Sequence, residues 1–163
     1  MTPRRTLFVF ALWAFFATGC DSNDDSGDDR PDRVILTEVT VEEFPDRNPD
    51  GDRWDEGTDP SDADLYFDLL DADTDQVLAS GIDDEFANVD NDDTPLVWDA
   101  NYESTSFGRP LVIVLYDRDP TNNDDYLGET REFDFAEAAN DDFRRTLTVT
   151  GDDIEIRLRL EWE

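Results

Sequence analysis

Ile154-Glu155-Ile156-Arg157-Leu158-Arg159-Leu160-Glu161-Trp162 stands at the end of the sequence and decides the fold class. Ile154, Ile156, Leu158, Leu160 and Trp162 alternate with Glu155, Arg157, Arg159 and Glu161. A period of two puts the apolar set on one face of a β-strand and the charged set on the other, so this strand covers a core on one side and meets water on the other. A second stretch, Leu111-Val112-Ile113-Val114-Leu115-Tyr116, is apolar throughout and reads as a central strand covered on both faces.

Outward from these two, short segments rich in β-branched and aromatic residues recur between Asp, Gly, Pro and Asn clusters, the pattern of a sandwich or barrel. They are Val34 to Phe44, Asp64 to Leu70, Gln76 to Ile82, Leu96 to Glu103, Leu111 to Asp117, Tyr126 to Phe135, Phe143 to Thr150 and Ile154 to Trp162. The expected fold is all-β, an eight-stranded antiparallel β-sandwich over residues 33–163. Thr150-Gly151-Asp152 is expected to close a hairpin between the last two strands. Ala136 to Asn140 is the only helix-compatible piece.

Composition narrows the chemistry. The 163 residues carry 44 acids and 13 cations for a formal charge of -31, with no histidine and one cysteine. All the cations are Arg. Without His there is no Ser-His-Asp triad, imidazole shuttle or histidine metal site; without Lys there is no Schiff base and no P-loop. A surface this negative repels phosphate backbones, so nucleic acid is excluded as a partner. Carboxylate chemistry remains: cation binding, a two-carboxylate hydrolase, or solvation of a salt-adapted, halophilic surface. A glycosidase finds little cleft in about 130 residues and no identifiable acid/base pair. The 11 Phe, 4 Trp and 4 Tyr argue for a packed core despite the charge.

The N-terminus reads as targeting. Arg4 and Arg5 precede the apolar run Leu7 to Ala17, which is too short to span a bilayer and of signal-peptide length. The ending Ala17-Thr18-Gly19-Cys20 resembles a bacterial lipobox, in which the cysteine is acylated and becomes the first mature residue. Residues 1–19 are then a lipoprotein signal peptide. Residues 20–32, running through Asp21-Ser22-Asn23-Asp24-Asp25, form an acidic tether. The chain is expected in the cell envelope, attached to the membrane through Cys20 and facing the periplasm or cell exterior.

The segment after the Leu111 strand reads Asp117-Arg118-Asp119-Pro120-Thr121-Asn122-Asn123-Asp124-Asp125-Tyr126-Leu127-Gly128. Carboxylates at its first, third and ninth positions, delivered by a buried strand to a sheet end, can converge on a hard cation that takes six to eight oxygens at about 2.3 to 2.6 Å. Thiolate and imidazole are missing from the loops, which favours Ca²⁺ over Zn²⁺ or Cu²⁺. Asp46-Arg47-Asn48-Pro49-Asp50-Gly51 opens like an EF-hand loop, but Gly57 holds the twelfth position, and it reads as a turn.

The run Leu115 to Glu129 resembles the third calcium loop of a C2 domain. Three other segments agree in order. Asp64-Leu65-Tyr66-Phe67 resembles the Asp-Pro-Tyr-apolar signature, with Leu for Pro; Pro95-Leu96-Val97-Trp98-Asp99 resembles the Pro-x-Trp-Asn/Asp strand start, with one extra residue; and Val34 to Pro45 resembles the opening strand ending in Phe-Pro. Gly51-Asp52-Arg53-Trp54-Asp55 is similar to a first-loop segment of some C2-like bacterial lipoproteins. The resemblance implies Ca²⁺ ligands at Asp64, Asp117, Asp119 and Asp125. Thr58 stands where the family's other first-loop Asp usually lies, so Asp55 is the choice there.

The family docks on anionic phospholipid, often through a lysine-rich strand, and here the matching strand, Gln76 to Ile82, has no cation. Trp54 is the lone candidate for a ligand or membrane contact. The expected function is non-enzymatic Ca²⁺ binding in adhesion, scaffolding or surface interaction, with an unknown protein or glycan as partner. A carbohydrate-binding sandwich using Trp54, Tyr102 and Tyr126 is the second reading, and an acidic sandwich with no specific metal site the third.

Overall fold

The computed structural model describes residues 30–47, 54, 63–119, 123–151 and 153–163. Among the described residues the strands are β1 (Val34–Glu43), β2 (Ala63–Asp71), β3 (Gln76–Ser80), β4 (Phe86–Val89), β5 (Leu96–Ser104), β6 (Leu111–Asp117), β7 (Asp125–Glu129), β8 (Thr146–Gly151) and β9 (Ile154–Trp162), with one short α-helix, α1 (Ala136–Asn140), and 3₁₀ turns at Ile82–Asp84 and Asn91–Asp93. They form two antiparallel sheets. One runs β5-β1-β9-β8, and the other β3-β2-β6-β7 with β4 also on β2. The expected all-β antiparallel sandwich is present, and the helix-compatible piece is α1.

The strand β9 alternates as its sequence requires. Ile154, Ile156, Leu158 and Leu160 are buried, while Glu155, Arg157 and Arg159 are exposed. Burial of each such side chain contributes roughly 1.5–3 kcal/mol. Its neighbour β1 alternates less cleanly because the register shifts between Leu36 and Glu38, so that Val34 and Leu36 face inward before the shift and Val39 and Val41 after it. Opposite them, Leu65, Phe67 and Leu69 of β2 and Leu111, Ile113 and Leu115 of β6 complete the core. As expected of a central strand, β6 lies between β2 and β7, and its outward Val114 is only 3% exposed.

The expected bounds are off by three residues or more at the end of β7 and the start of β8, and by two at the end of β3, which gives way to a 3₁₀ turn at Ile82–Asp84; a ninth strand also appears. The added strand, β4, has four residues, with Asn88 at φ 54°, and pairs with the start of β2 through a register shift; too short and irregular to show alternation, it leaves no periodic signal. The strand β7 stops at Glu129; Thr130 keeps its N–H on the Ile113 carbonyl at 2.9 Å, takes the Ile113 N–H on its hydroxyl, and also bridges Gly151 across the sandwich corner. The strand β8 begins at Thr146, not Phe143, whose ring packs edge-on against Trp162.

Gly151 owes its place to that corner. Its register partner is Ile154, and the positive φ of the hairpin connection falls on Asp153 at 57°. A Cβ on Gly151 would stand 1.9 Å from the carbonyl oxygen of Glu129, whereas one on Gly108 would meet nothing within 4 Å. Gly151→Ala is therefore expected to cost roughly 1–3 kcal/mol through overpacking. Gly108→Ala should stay within about 0.5 kcal/mol of the wild type. Thermal denaturation of the two variants side by side checks both.

Candidate metal centre

The sequence delivers two acids to one corner because β2 and β6 are paired without interruption, Leu65 with Asp117 through Asp71 with Leu111. Asp117 therefore ends β6 beside the start of β2, where it is 0% exposed. Its Oδ1 accepts the Asp64 N–H at 2.6 Å, and the Arg118 N–H returns a bond to the Asp64 carbonyl at 2.9 Å. The half-buried Asp64 carboxylate accepts in turn from the Asn88 N–H at 2.8 Å, which ties the short strand β4 to the same corner. A carboxylate held out of water keeps its charge only with such donors or a cation beside it.

The described residues that follow β6 and precede β7 meet one another beside these two strands. Asp119 is half-buried, and its N–H donates to Asp124 Oδ1 at 3.2 Å, while Tyr66 donates its hydroxyl to Asp124 Oδ2 at 2.7 Å. Asp125 is exposed on β7, registered opposite Asp117. Asp64, Asp117, Asp119 and Asp125 thus stand at one end of the sheet, with Asp124 as a fifth acid that the spacing pattern left unassigned. Because Asp124 and Asp125 are adjacent, residue spacing alone does not decide which of them turns into the loop. Asp55 and Cys20 lie outside the described residues.

The acids are all-oxygen donors, which fits a hard cation such as Ca²⁺ in chemistry. Among the described residues, no three acids stand close enough together to hold a metal ion. Their oxygens accept backbone N–H and tyrosine O–H groups instead. One guanidinium answers the charge locally: Arg118 pairs with Glu85 and donates to the Ile82 carbonyl at 3.2 Å. The bond to Glu85 and that residue's charge hold its pKa above the ordinary arginine value.

The rings named from sequence are placed unequally. Trp54 is 7% exposed, belongs to the core, and donates its indole N–H to the Pro45 carbonyl at 2.8 Å. It is therefore not offered to a ligand or membrane; a large ring in an acidic loop gains more from the core than from water. Tyr102 is 8% exposed and Tyr126 52%, so of the three rings proposed for sugar stacking only Tyr126 is open. Asp46, at the head of the EF-hand-like segment, accepts the Asn91 N–H at 2.9 Å.

A row of tyrosines lines the outer face beside the corner. Register places Tyr66, Tyr116 and Tyr126 side by side, with Tyr66 and Tyr116 stacked at 5.3 Å and Tyr116 and Tyr126 edge-on at 6.4 Å. Burial pushes the Tyr66 phenol well above the ordinary tyrosine range, helped by the hydrogen bond and charge of Asp124. Tyr116 is raised by burial and then by Asp68, Glu129 and Asp124.

No family model and no curated protein matches the chain. Among solved structures it is similar to the tandem C2 domains of Extended-Synaptotagmin 2, at 18% identity and a TM-score of 0.44, over 99% of this chain and 48% of that one. A structure of the same pair with calcium bound is similar at 20% identity and a TM-score of 0.40, over 81% of this chain and 46% of that one. This chain spans about half the length of each of those chains.

The raised tyrosines fix the sign of an alkaline response. A phenol whose folded pKa exceeds its unfolded value near 10 contributes stability that is complete below about pH 10 and is lost as pH rises toward the folded pKa. Tyr66→Phe should lower stability at pH 8 by about 1 kcal/mol. It should also shrink the loss between pH 8 and 11. Denaturant titrations at the two pH values measure both effects.

Proposed function

We propose that this chain is a non-enzymatic, C2-like module that binds Ca²⁺ at the corner where β2 begins and β6 ends. In this reading it is held to the membrane by a lipid on Cys20 and faces the periplasm or cell exterior, where it serves adhesion, scaffolding or surface interaction. The observation that carries the metal part is the fully buried Asp117, set at a loop base at the same end of the sheet as Asp64, Asp119, Asp124 and Asp125. Asp64, Asp117, Asp119 and Asp125 would hold the ion, with Asp55 from the first loop. Ca²⁺ would supply the positive charge that these oxygen ligands surround.

Each residue has a separate task. Asp117 is fixed by the Asp64 N–H, so its second oxygen has a set direction. Asp124 shares its carboxylate between the loop backbone and Tyr66, which couples the loop to the outer sheet face. Arg118 neutralises Glu85 on the flank of the corner.

Thermal denaturation of the full chain in chelator, followed by calcium addition, tests the metal. Extracellular sites bind at Kd of about 10⁻⁴ to 10⁻³ M. A tenfold excess over Kd then adds about 1.4 kcal/mol. That corresponds to a rise of a few degrees. Asp117→Asn keeps an oxygen for the Asp64 N–H and removes the charge, so it should fold and lose the calcium response. An equal rise with sodium chloride at matched ionic strength, or one retained in Asp117→Asn, overturns the reading in favour of a salt-adapted surface. Separately, Cys20→Ser is expected to move the protein from the membrane fraction to the soluble fraction; retention in the membrane would remove the lipid anchor.

A further inference from the structure

The two sheets turn different outer faces to solvent. On β9 the outward residues are Glu155, Arg157, Arg159 and Glu161, and Arg157 pairs with Glu42 of β1, so that face matches its own charges. The outer face of the other sheet carries no cation among the outward residues of β2, β3, β6 and β7. Register arranges it in three rows. Tyr66, Tyr116 and Tyr126 form the first, beside the acidic corner; Asp68, Val114 and Glu129 form the second, and Val77, Leu70 and Val112 the third. Val77 and Tyr126 are exposed, and Leu70, Val112 and Tyr116 half-buried. On a chain of net charge -31, an outer sheet face built on aromatic and aliphatic side chains departs from the rest of the surface, and such a face marks a place of contact.

The charges that remain on it are negative. The Asp68 and Glu129 carboxylates form no ion pair among the described residues. After burial, they and Asp124 are what raise the Tyr116 phenol. Arg109 and Arg118, near the two ends of β6, are taken by Asp71 and Glu85. Arg131 lines a hollow at the edge of the third row together with Asp75, Glu129 and Glu132, three acids to one guanidinium. Carboxylates attract a cation by charge, and tyrosine rings attract one through their quadrupole. A second copy of the chain would instead set acid against acid.

Neighbouring strands lie about 4.8 Å apart, so Asp68 and Glu129, on either side of Val114, stand roughly 10 Å apart. An α-helix rises roughly 10.5 Å from residue i to residue i+7, on one face. A helix laid along the second row therefore sets arginines at i and i+7 over the two carboxylates and an apolar residue between them over Val114. Its flanks meet the tyrosines on one side and Leu70 and Val112 on the other. We infer that the outer face of β2, β6 and β7 is a docking surface for an amphipathic, arginine-bearing helix of a partner protein. Arginine suits it better than lysine, because a guanidinium stacks on a tyrosine ring as well as pairing with a carboxylate. Calcium plays no part in this surface.

Fluorescence anisotropy with the full chain in non-ionic detergent, with chelator present and about 0.5 M sodium chloride to screen general attraction, tests this independently of calcium. The probe is a labelled helical peptide of Ala, Leu and Gln with arginines seven positions apart on its apolar face; the control has the same composition with the two arginines on opposite faces. The probe should bind saturably and about five-fold more tightly than the control. Asp68→Asn, Glu129→Gln and Tyr126→Ala should each weaken it about five-fold. Glu155→Gln makes the same charge change on the opposite face and should alter it by less than about two-fold. Equal binding of the two peptides, equal weakening by Glu155→Gln, or no saturable binding overturns the docking surface. Binding of cellohexaose that Tyr126→Ala abolishes, with no binding of the probe, overturns it in favour of a glycan. A dimer in sedimentation velocity that Tyr126→Ala dissociates overturns it in favour of a second copy. Melting temperatures of the four variants without peptide verify that each is folded.

Discussion

The register of β2 against β6 is the constraint on which the acidic corner depends. Seven pairs, Leu65–Asp117 through Asp71–Leu111, run without a bulge, although β1, β3, β4 and β7 all carry one against their neighbours. A slip of one residue would turn Leu65, Phe67 and Leu69 out of the core and Tyr66 and Asp68 into it. The apolar set thus fixes the register, and the register fixes where the acids stand. Placing Asp64 and Asp117 at hydrogen-bonding distance requires nothing further of the loops, since the core has already aligned the strands that deliver them.

The sequence was informative where a periodic core dictated structure. Alternation in Ile154 to Trp162 and the unbroken apolar run from Leu111 each gave the strand and its burial, because any other arrangement would expose several large side chains. Where a bulge or a corner intervened, the signal faded. Phe86 to Val89 buries only Val89 fully and includes a left-handed Asn88, so no pattern marks it as a strand. Gly151 looked like a turn residue, yet it is required by the approach of another backbone from 22 positions earlier, a contact that no local pattern records.

The acidic corner was legible in part, and its composition explains the shortfall. When acids make up 44 of 163 residues, matching spacings arise by accident, and adjacent acids such as Asp124 and Asp125 compete for the same role. Context decided more than spacing did: a buried strand ending in Asp117 and a second strand opening at Asp64. The Tyr66 contribution could have been inferred, because Tyr66 lies two residues beyond Asp64 on the same strand face and Tyr116 stands opposite. Trp54 shows the converse, since large rings in charged loops carry no mark of whether they point inward.

The close contact at Gly151 has a consequence for how copies of the molecule meet. β7 and β8 are the outermost strands of their sheets on one side, and the Thr130–Gly151 bridge and the Arg131 N–H bond to the Thr150 carbonyl at 2.9 Å occupy backbone groups that would otherwise face a neighbour. Charge repulsion between copies fades when salt shortens its reach to about 3 Å at 1 M. A seam closed by backbone contact does not fade in this way. At that corner, steric closure would guard against strand-to-strand aggregation in brine, where the surface charge no longer can.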